Sequence, residues 1–443
     1  MQVKSIQKFF IYLFFFTGPF VVSSIYQNVS VIPTSLLVSI LLIITSSIVI
    51  FKKGHLKIDS LSKSVIVLFF LPIFLSTITI ILNIFFIEDL DYKSFLETDF
   101  VNRLINVLVY FFVTFLLVDY INNENKNKIF KMISLYLFGC IFMLAFGVWQ
   151  LLHFVFGIPF LELDTRSLLH SVDVSIAQFN FRLTSLANEP SFFAPFIIDS
   201  IILSFLFIKK SLYRILFILF ATMVLFFTFS GGGYVNLLLV VVSLLVILNI
   251  GIYNKFKYKT VLLASFLTIL FSILGVFIFN IFNVGKILYP VLGRFDTMFD
   301  STGSARTYMV TQPFKWIFEY KVWNILFGLG PNSFEYLKYV KKLPSGEPIH
   351  STSNNLFTDF TFENGFVGLI CVISIFIIIM RRVLINLKIE VNKYSVVTYM
   401  LLVHLFITSM YRADYLSPRF WIIILIIIYL VKNFKELKYF EDK

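Results

Sequence analysis

The residues of this 443-residue chain best suited to chemistry fall in two stretches. In "FRLTSLANEPSFFAPFIID", Arg182, Asn188, Glu189, Pro190 and Ser191 stand together where a polar segment turns apolar. Pro190 suits the first turn of a helix, and Glu189 would lie near the positive end of that helix. Two readings stay open: an ordinary helix start with an acidic cap, or a carboxylate at the lip of a cavity that takes a proton from a hydroxyl nucleophile, with Arg182 close by. The second stretch, about 285–363, holds Arg294, Arg306, His350, Ser353, Asn354, Asn355, Asp359 and Glu363. An arginine fork matches phosphate oxygens bidentately, so Arg294 and Arg306 suit a diphosphate and the charge it gains on leaving; the alternative is that they pair with Asp296 and Asp300. His350 can bind an anion or move a proton. "NILFGLGPNSFEYL" puts Gly328, Gly330 and Pro331 in a tight turn whose N–H groups could meet an anion. Glu363, Gly365 and Gly368 read more plainly as a helix cap and a close-packing surface.

The elements that must position these groups are membrane spans. The chain is 58% apolar and 14% charged, with a mean hydropathy of +0.89. A water-soluble fold could not hide that much apolar surface. Runs long enough to cross roughly 30 Å of hydrocarbon occur at about 9–27, 31–51, 64–87, 101–121, 131–156, 190–208, 212–230, 233–250, 260–284, 364–380, 394–411 and 419–433. The expected fold is therefore an all-α polytopic membrane protein of about twelve transmembrane helices, a single membrane domain over 1–443 with no repeat or linker. The basic start of the chain followed by an apolar run reads as the first span, not as a signal peptide. Lysine and arginine gather in the connections on one side, 23 of the 37 in the chain. The positive-inside rule then puts both termini in the cytoplasm of a protein of the cytoplasmic membrane. Segments 157–189 and 285–363 fall outside, the second between helices 9 and 10, and together they are expected to cap an active site.

This arrangement excludes several classes. The net charge of +12 belongs to the inner connections, so nucleic acid is not an expected partner; membrane lipids are. No Walker motif or room for an ATPase domain exists in the short inner connections. Cys140 and Cys371 lie in apolar runs and make no disulfide framework, and the five histidines are mostly scattered, so neither a metal nor a cofactor is expected. A transporter should line its path with ionisable groups at mid-membrane depth, whereas here only Asp199 and His404 break the apolar spans. Trp316 and Trp323 are expected at the membrane interface.

Taken in order, the Glu-Pro-Ser at the lip of the sixth span, the Arg-bearing loop starts, "FGLGPNSF" and the Asn/His-rich approach to "ENGFVGL" resemble the O-antigen ligase and Wzy-type polysaccharide polymerase superfamily. The motifs cover roughly 180–370. The ligase branch carries a histidine where this chain has Asn354, and His350 stands four residues earlier. Many members carry Ser-Arg-Gly where this chain reads Ser230, Gly231, Gly232 and Gly233. Both departures weaken a ligase assignment and are tolerable in the polymerase branch. The resemblance implies a GT-C-like, metal-independent membrane glycosyltransferase that joins polyprenyl-diphosphate-linked oligosaccharide repeats into a surface polysaccharide. It implies no cofactor, and a chain-length regulator and a flippase of the same pathway as partners. Glu189, or else His350, would be the base; Arg182, Arg294 and Arg306 would hold the diphosphate; Asn188, Asn354 and Asn355 would touch sugar. A ligase acting once on a lipid or protein acceptor and a lipid-linked-sugar flippase are the alternatives.

Overall fold

Hydrocarbon offers no water to the backbone, so every apolar run must close its own hydrogen bonds as a helix. The computed structural model describes residues 2–20, 34–87, 90–160, 182–187, 189–252 and 305–438. These described residues are 81% helical, with no sheet among them. In chain order its main helices are α1 (Gln2–Thr17), α2 (Thr34–Lys53), α3 (Ser60–Ile84), α4 (Val101–Asn123), α5 (Lys126–Phe156), α6 (Pro190–Phe207), α7 (Ser211–Phe227) and α8 (Gly231–Val246). They continue as α9 (Ala305–Thr311), α10 (Val322–Phe327), α11 (Ser333–Val340), α12 (Leu356–Ile389), α13 (Lys393–Tyr411), α14 (Pro418–Lys432) and α15 (Phe434–Lys438). Among the described residues, eight helices are long and apolar enough to cross a membrane: α2 to α6, α8, α12 and α13. The chain is thus an all-α polytopic membrane protein. α1, α7 and α14 fall on three further expected spans but are shorter, and the expected span at 260–284 lies outside the described residues.

Polar side chains mark where the spans begin. Asp59 accepts from Ser62 N–H at α3, Asn125 from Lys128 N–H at α5, and Asn392 exchanges bonds with Ser395 in a full capping box at α13. α5 stops at Gly157, whose φ of 68° is left-handed. α14 is apolar on every side, and each residue from Pro418 to Val431 is buried, as a helix at the centre of a bundle requires. It packs on α4, α12 and α13, and Trp421 stacks on Phe70 at 4.9 Å and meets Phe69 edge-on at 4.8 Å.

α12 is broken. The backbone at Gly365 takes φ 68° and ψ −176°, a conformation open essentially to glycine alone. The break frees carbonyls of the preceding turn, and the loop after α10 fills them: Leu329 N–H donates to Phe362 O at 3.1 Å and Gly330 N–H to Glu363 O at 2.9 Å. A Cβ on Gly328 would lie 2.1 Å from Glu363 O, and one on Gly365 would lie 2.2 Å from the Leu326 carbonyl. The two glycine motifs are therefore the two halves of one backbone junction. Helix α3 pins it, through Ser76 to Asn364 at 2.9 Å and Thr79 to Gly328 O at 2.8 Å.

The described part of segment 285–363 before α12, residues 305–355, folds into short helices over a small core of its own, including Met309, Trp316, Leu329, Phe334 and Leu337, closed by Phe362 of α12. Trp316 is 5% exposed within that core and packs on Tyr308. It is a core residue of the segment. Trp323 is partly exposed, packs on Phe86 and donates to Asn83 Oδ1 at 3.1 Å.

Candidate active site

Glu189 occupies the N-cap position of α6, with extended backbone at φ −140° and ψ 150° ahead of Pro190. Its carboxylate does not cap the helix; it accepts from Ser191 Oγ at 3.2 Å and stays partly exposed. Facing it from the α13–α14 connection is Arg412. That guanidinium donates to Phe192 O at 3.0 Å, lies 4.2 Å from the Phe192 ring centroid, and has Asp414 Oδ2 at 3.8 Å. Burial pulls Arg412 below its ordinary range, the carboxylate of Asp414 opposes this, and Glu189 adds a weaker pull in the same sense as Asp414. A carboxylate able to take a proton and a cation able to meet an anion thus share one lip.

Beneath that lip lies a second set of charges, and it is closed. Arg419, wholly buried, donates from Nε to Asp199 Oδ2 at 2.7 Å, from Nη2 to Asp199 Oδ1 at 3.2 Å, and from Nη1 to Asp414 Oδ2 at 3.1 Å. Tyr136 adds its hydroxyl to Asp199 at 2.8 Å. His404 lies 3.2 Å from Asp199, 2.7 Å from Arg419 Nη2 and 2.9 Å from Asn236 Oδ1, so Nε2 can accept from the guanidinium while Nδ1 donates to Asn236. Asp199 and His404, the two ionisable exceptions in the apolar spans, are thus tied to each other and to Arg419.

The other expected site residues divide by how much freedom they keep. Arg182 donates to the carbonyls of Phe229 at 3.1 Å and Thr228 at 3.4 Å, which closes the C-terminus of α7. Asn355 caps α12: its Oδ1 accepts from Phe357 and Thr358 N–H, and its Nδ2 donates to Met410 O at 2.9 Å, two residues before Arg412. Asn354 is partly exposed in a left-handed conformation at φ 57°, its N–H on Thr352 Oγ1. His350 is exposed on the loop. Arg306 is exposed on α9 and pairs with nothing among the described residues; one turn on, Val310 O receives the Thr358 hydroxyl and ties α9 to the start of α12. Asn188, and Arg294 with Asp296 and Asp300, lie outside the described residues. Among the described residues no three His, Cys, Asp or Glu side chains gather into a metal-binding group.

Two readings need correction. The amides of Leu329 and Gly330 are spent on the broken turn of α12 and that of Gly328 on Asn324 O, so "FGLGPNSF" is a docking turn and not an anion loop. Glu363 is not a cap: only 2% exposed, it accepts from Tyr415 OH at 2.9 Å and has Arg103 Nη2 at 3.9 Å, while Arg103 is itself held on Asn332 Oδ1. Sequence reasoning passed over Arg412, Asp414, Tyr415 and Arg419, all in "YRADYLSPRF". The signal was present. Arg412 in a connection expected outside, with Arg419 at the start of the span that follows, runs against the positive-inside pattern, as Arg294 and Arg306 do.

No curated protein matches the chain. Residues 215–373, from α7 through the first half of α12, match the family model described as O-Antigen ligase, which agrees with membership of the O-antigen ligase and Wzy-type polymerase superfamily.

Proposed function

We propose that this protein is a membrane glycosyltransferase that polymerises polyprenyl-diphosphate-linked oligosaccharide repeats into a surface polysaccharide on the outer face of the cytoplasmic membrane. The observation that carries the reading is the partly exposed Glu189 carboxylate facing the buried Arg412 guanidinium at the start of α6. Glu189 takes the proton of the acceptor hydroxyl as its oxygen attacks the anomeric carbon of the donor. The bond from that carbon to the diphosphate oxygen breaks, and its electron pair leaves with the diphosphate. Guanidinium charge from Arg412 and Arg306 stabilises that leaving group. The energy of the transfer is stored in the diphosphate linkage, so no nucleotide site is required.

Asn354 in the place of the ligase histidine favours repeated elongation over a single transfer to lipid or protein. The pairing of Asp199 and His404 with Arg419 favours an enzyme over a flippase, since both groups are already committed inside the bundle. The test is reconstitution of the protein in lipid with the lipid-diphosphate-linked repeat as sole substrate. A ladder of repeat multiples is the expected product. Unchanged monomeric repeat from folded protein would overturn the polymerase reading, and a single transfer to an added acceptor would replace it with the ligase.

A further inference from the structure

An apolar row runs along the described segment 305–355 where it meets the ends of α3 and α12. Phe318 is 61% exposed and Val322 69%, and Leu326, one turn after Val322 on the same face of α10, is exposed too. Phe85 and Phe86, just past the end of α3, extend the row at 74% and 58% exposed. Trp323 joins the two parts: its ring lies 5.2 Å from that of Phe86, its indole N–H donates to Asn83 Oδ1, and Lys321 Nζ stands 5.8 Å over the Phe86 ring. A face kept in water seldom gathers this many large apolar side chains.

Two observations say what covers it. The first is continuity. Phe318 packs on Phe366 of α12 at 5.9 Å, and further along that helix Ile370 and Ile377 are exposed; Ile78 and Ile81 are exposed in the same way on α3 ahead of Phe85. Both helices are long and apolar enough to cross a membrane, so these faces meet acyl chains, and the row carries on from them. The second is depth. The 25 residues of α3, with Lys63 in the first turn, rise about 37 Å against about 30 Å of hydrocarbon, which puts residues 84–86 at the edge of the acyl region. There a tryptophan and a lysine flank the row, as they flank helices at an interface.

We infer that α10 and Phe318 lie in the membrane interface, with Phe318, Val322 and Leu326 sunk among the acyl chains of the leaflet at that end of the bundle. Part of a stretch expected wholly outside the membrane then rests in it. α10 leads directly into the turn that docks on α12, so lipid and the backbone junction hold the segment through adjacent residues. The inference is independent of the proposed reaction.

The test places a nitroxide on Val322→Cys in the full chain carrying Cys140→Ser and Cys371→Ser, reconstituted in phosphatidylcholine vesicles. Power-saturation EPR reads its access to oxygen and to a water-soluble nickel chelate. Oxygen is expected to dominate, as for a label on Ile370→Cys and unlike one on the exposed Ser345→Cys, at a depth of about 5–10 Å into the boundary of headgroups and acyl chains. Chelate access equal to that at Ser345→Cys would put the row in water and overturn the inference. Access to neither reagent would also overturn it, by covering the face with protein; spin–spin broadening would then identify a second copy. Trp323 gives a check without a label: the fluorescence that W323F removes should be quenched by brominated lipid, and its persistence unquenched would count against the inference.

Discussion

Glu189 and Asp199 are ten residues apart on one helix, and the stretch 412–419, from the α13–α14 connection into the first turn of α14, supplies an arginine to each. Yet the two carboxylates are prepared for opposite work. Asp199 accepts from Arg419 twice and from Tyr136, with the His404 ring 3.2 Å away, at no exposure, so a substrate would have to displace partners already in place. Glu189 holds one serine hydroxyl, keeps contact with the surface, and has Arg412 as a neighbour and not as a clamp. A buried, ion-paired charge set specifies how α6, α13 and α14 meet; in the proposed reaction a half-paired one at the rim is left able to react.

That contrast can be broken by substitution. Glu189→Gln keeps shape and removes the base, and elongation should fall by about two to four powers of ten with the unfolding midpoint unchanged. Elongation within threefold of the parent would remove Glu189 from the chemistry. Arg419→Met should do the reverse. It strands the buried Asp199 without its guanidinium partner, and the loss should be about 3–5 kcal/mol of folding free energy, read as a lower unfolding midpoint and lower membrane abundance. A stable Arg419→Met protein that has lost only activity would mean that the inner set belongs to the reaction.

The interlocked glycines sharpen the contrast from a third side. Gly365→Ala forces a side chain into a φ of 68° and against the Leu326 carbonyl, and should cost about 3 kcal/mol, seen as faster proteolysis of the 305–355 segment. Unchanged protease resistance would show that this junction does not hold the outer segment.

The legibility of the molecule follows the range of each interaction. The expected start of the tenth span at 364 falls on the break at Gly365, although the helix itself begins earlier, at Leu356. The Glu-Pro-Ser signature found the lip, because an acid followed by proline reports a helix start in consecutive residues. The partner of that lip was passed over. Arg412 sits in a connection too short to draw notice and Arg419 in the first turn of α14, and nothing local says that either meets α6. "FGLGPNSF" and "ENGFVGL" read as two separate motifs for the same reason: their common purpose is a contact between backbones more than thirty residues apart.

What the sequence by itself determined is the set of apolar helices, where they start and which connections are basic. Each of these follows from a local rule: a segment in hydrocarbon must satisfy its own backbone, and lysine stays on the inner side. Tertiary structure alone decided which charges are spent and which are free. Whether a carboxylate is a strut or a base depends on the partners that other helices bring to it and on how much water is left, and neither is written in its neighbours along the chain.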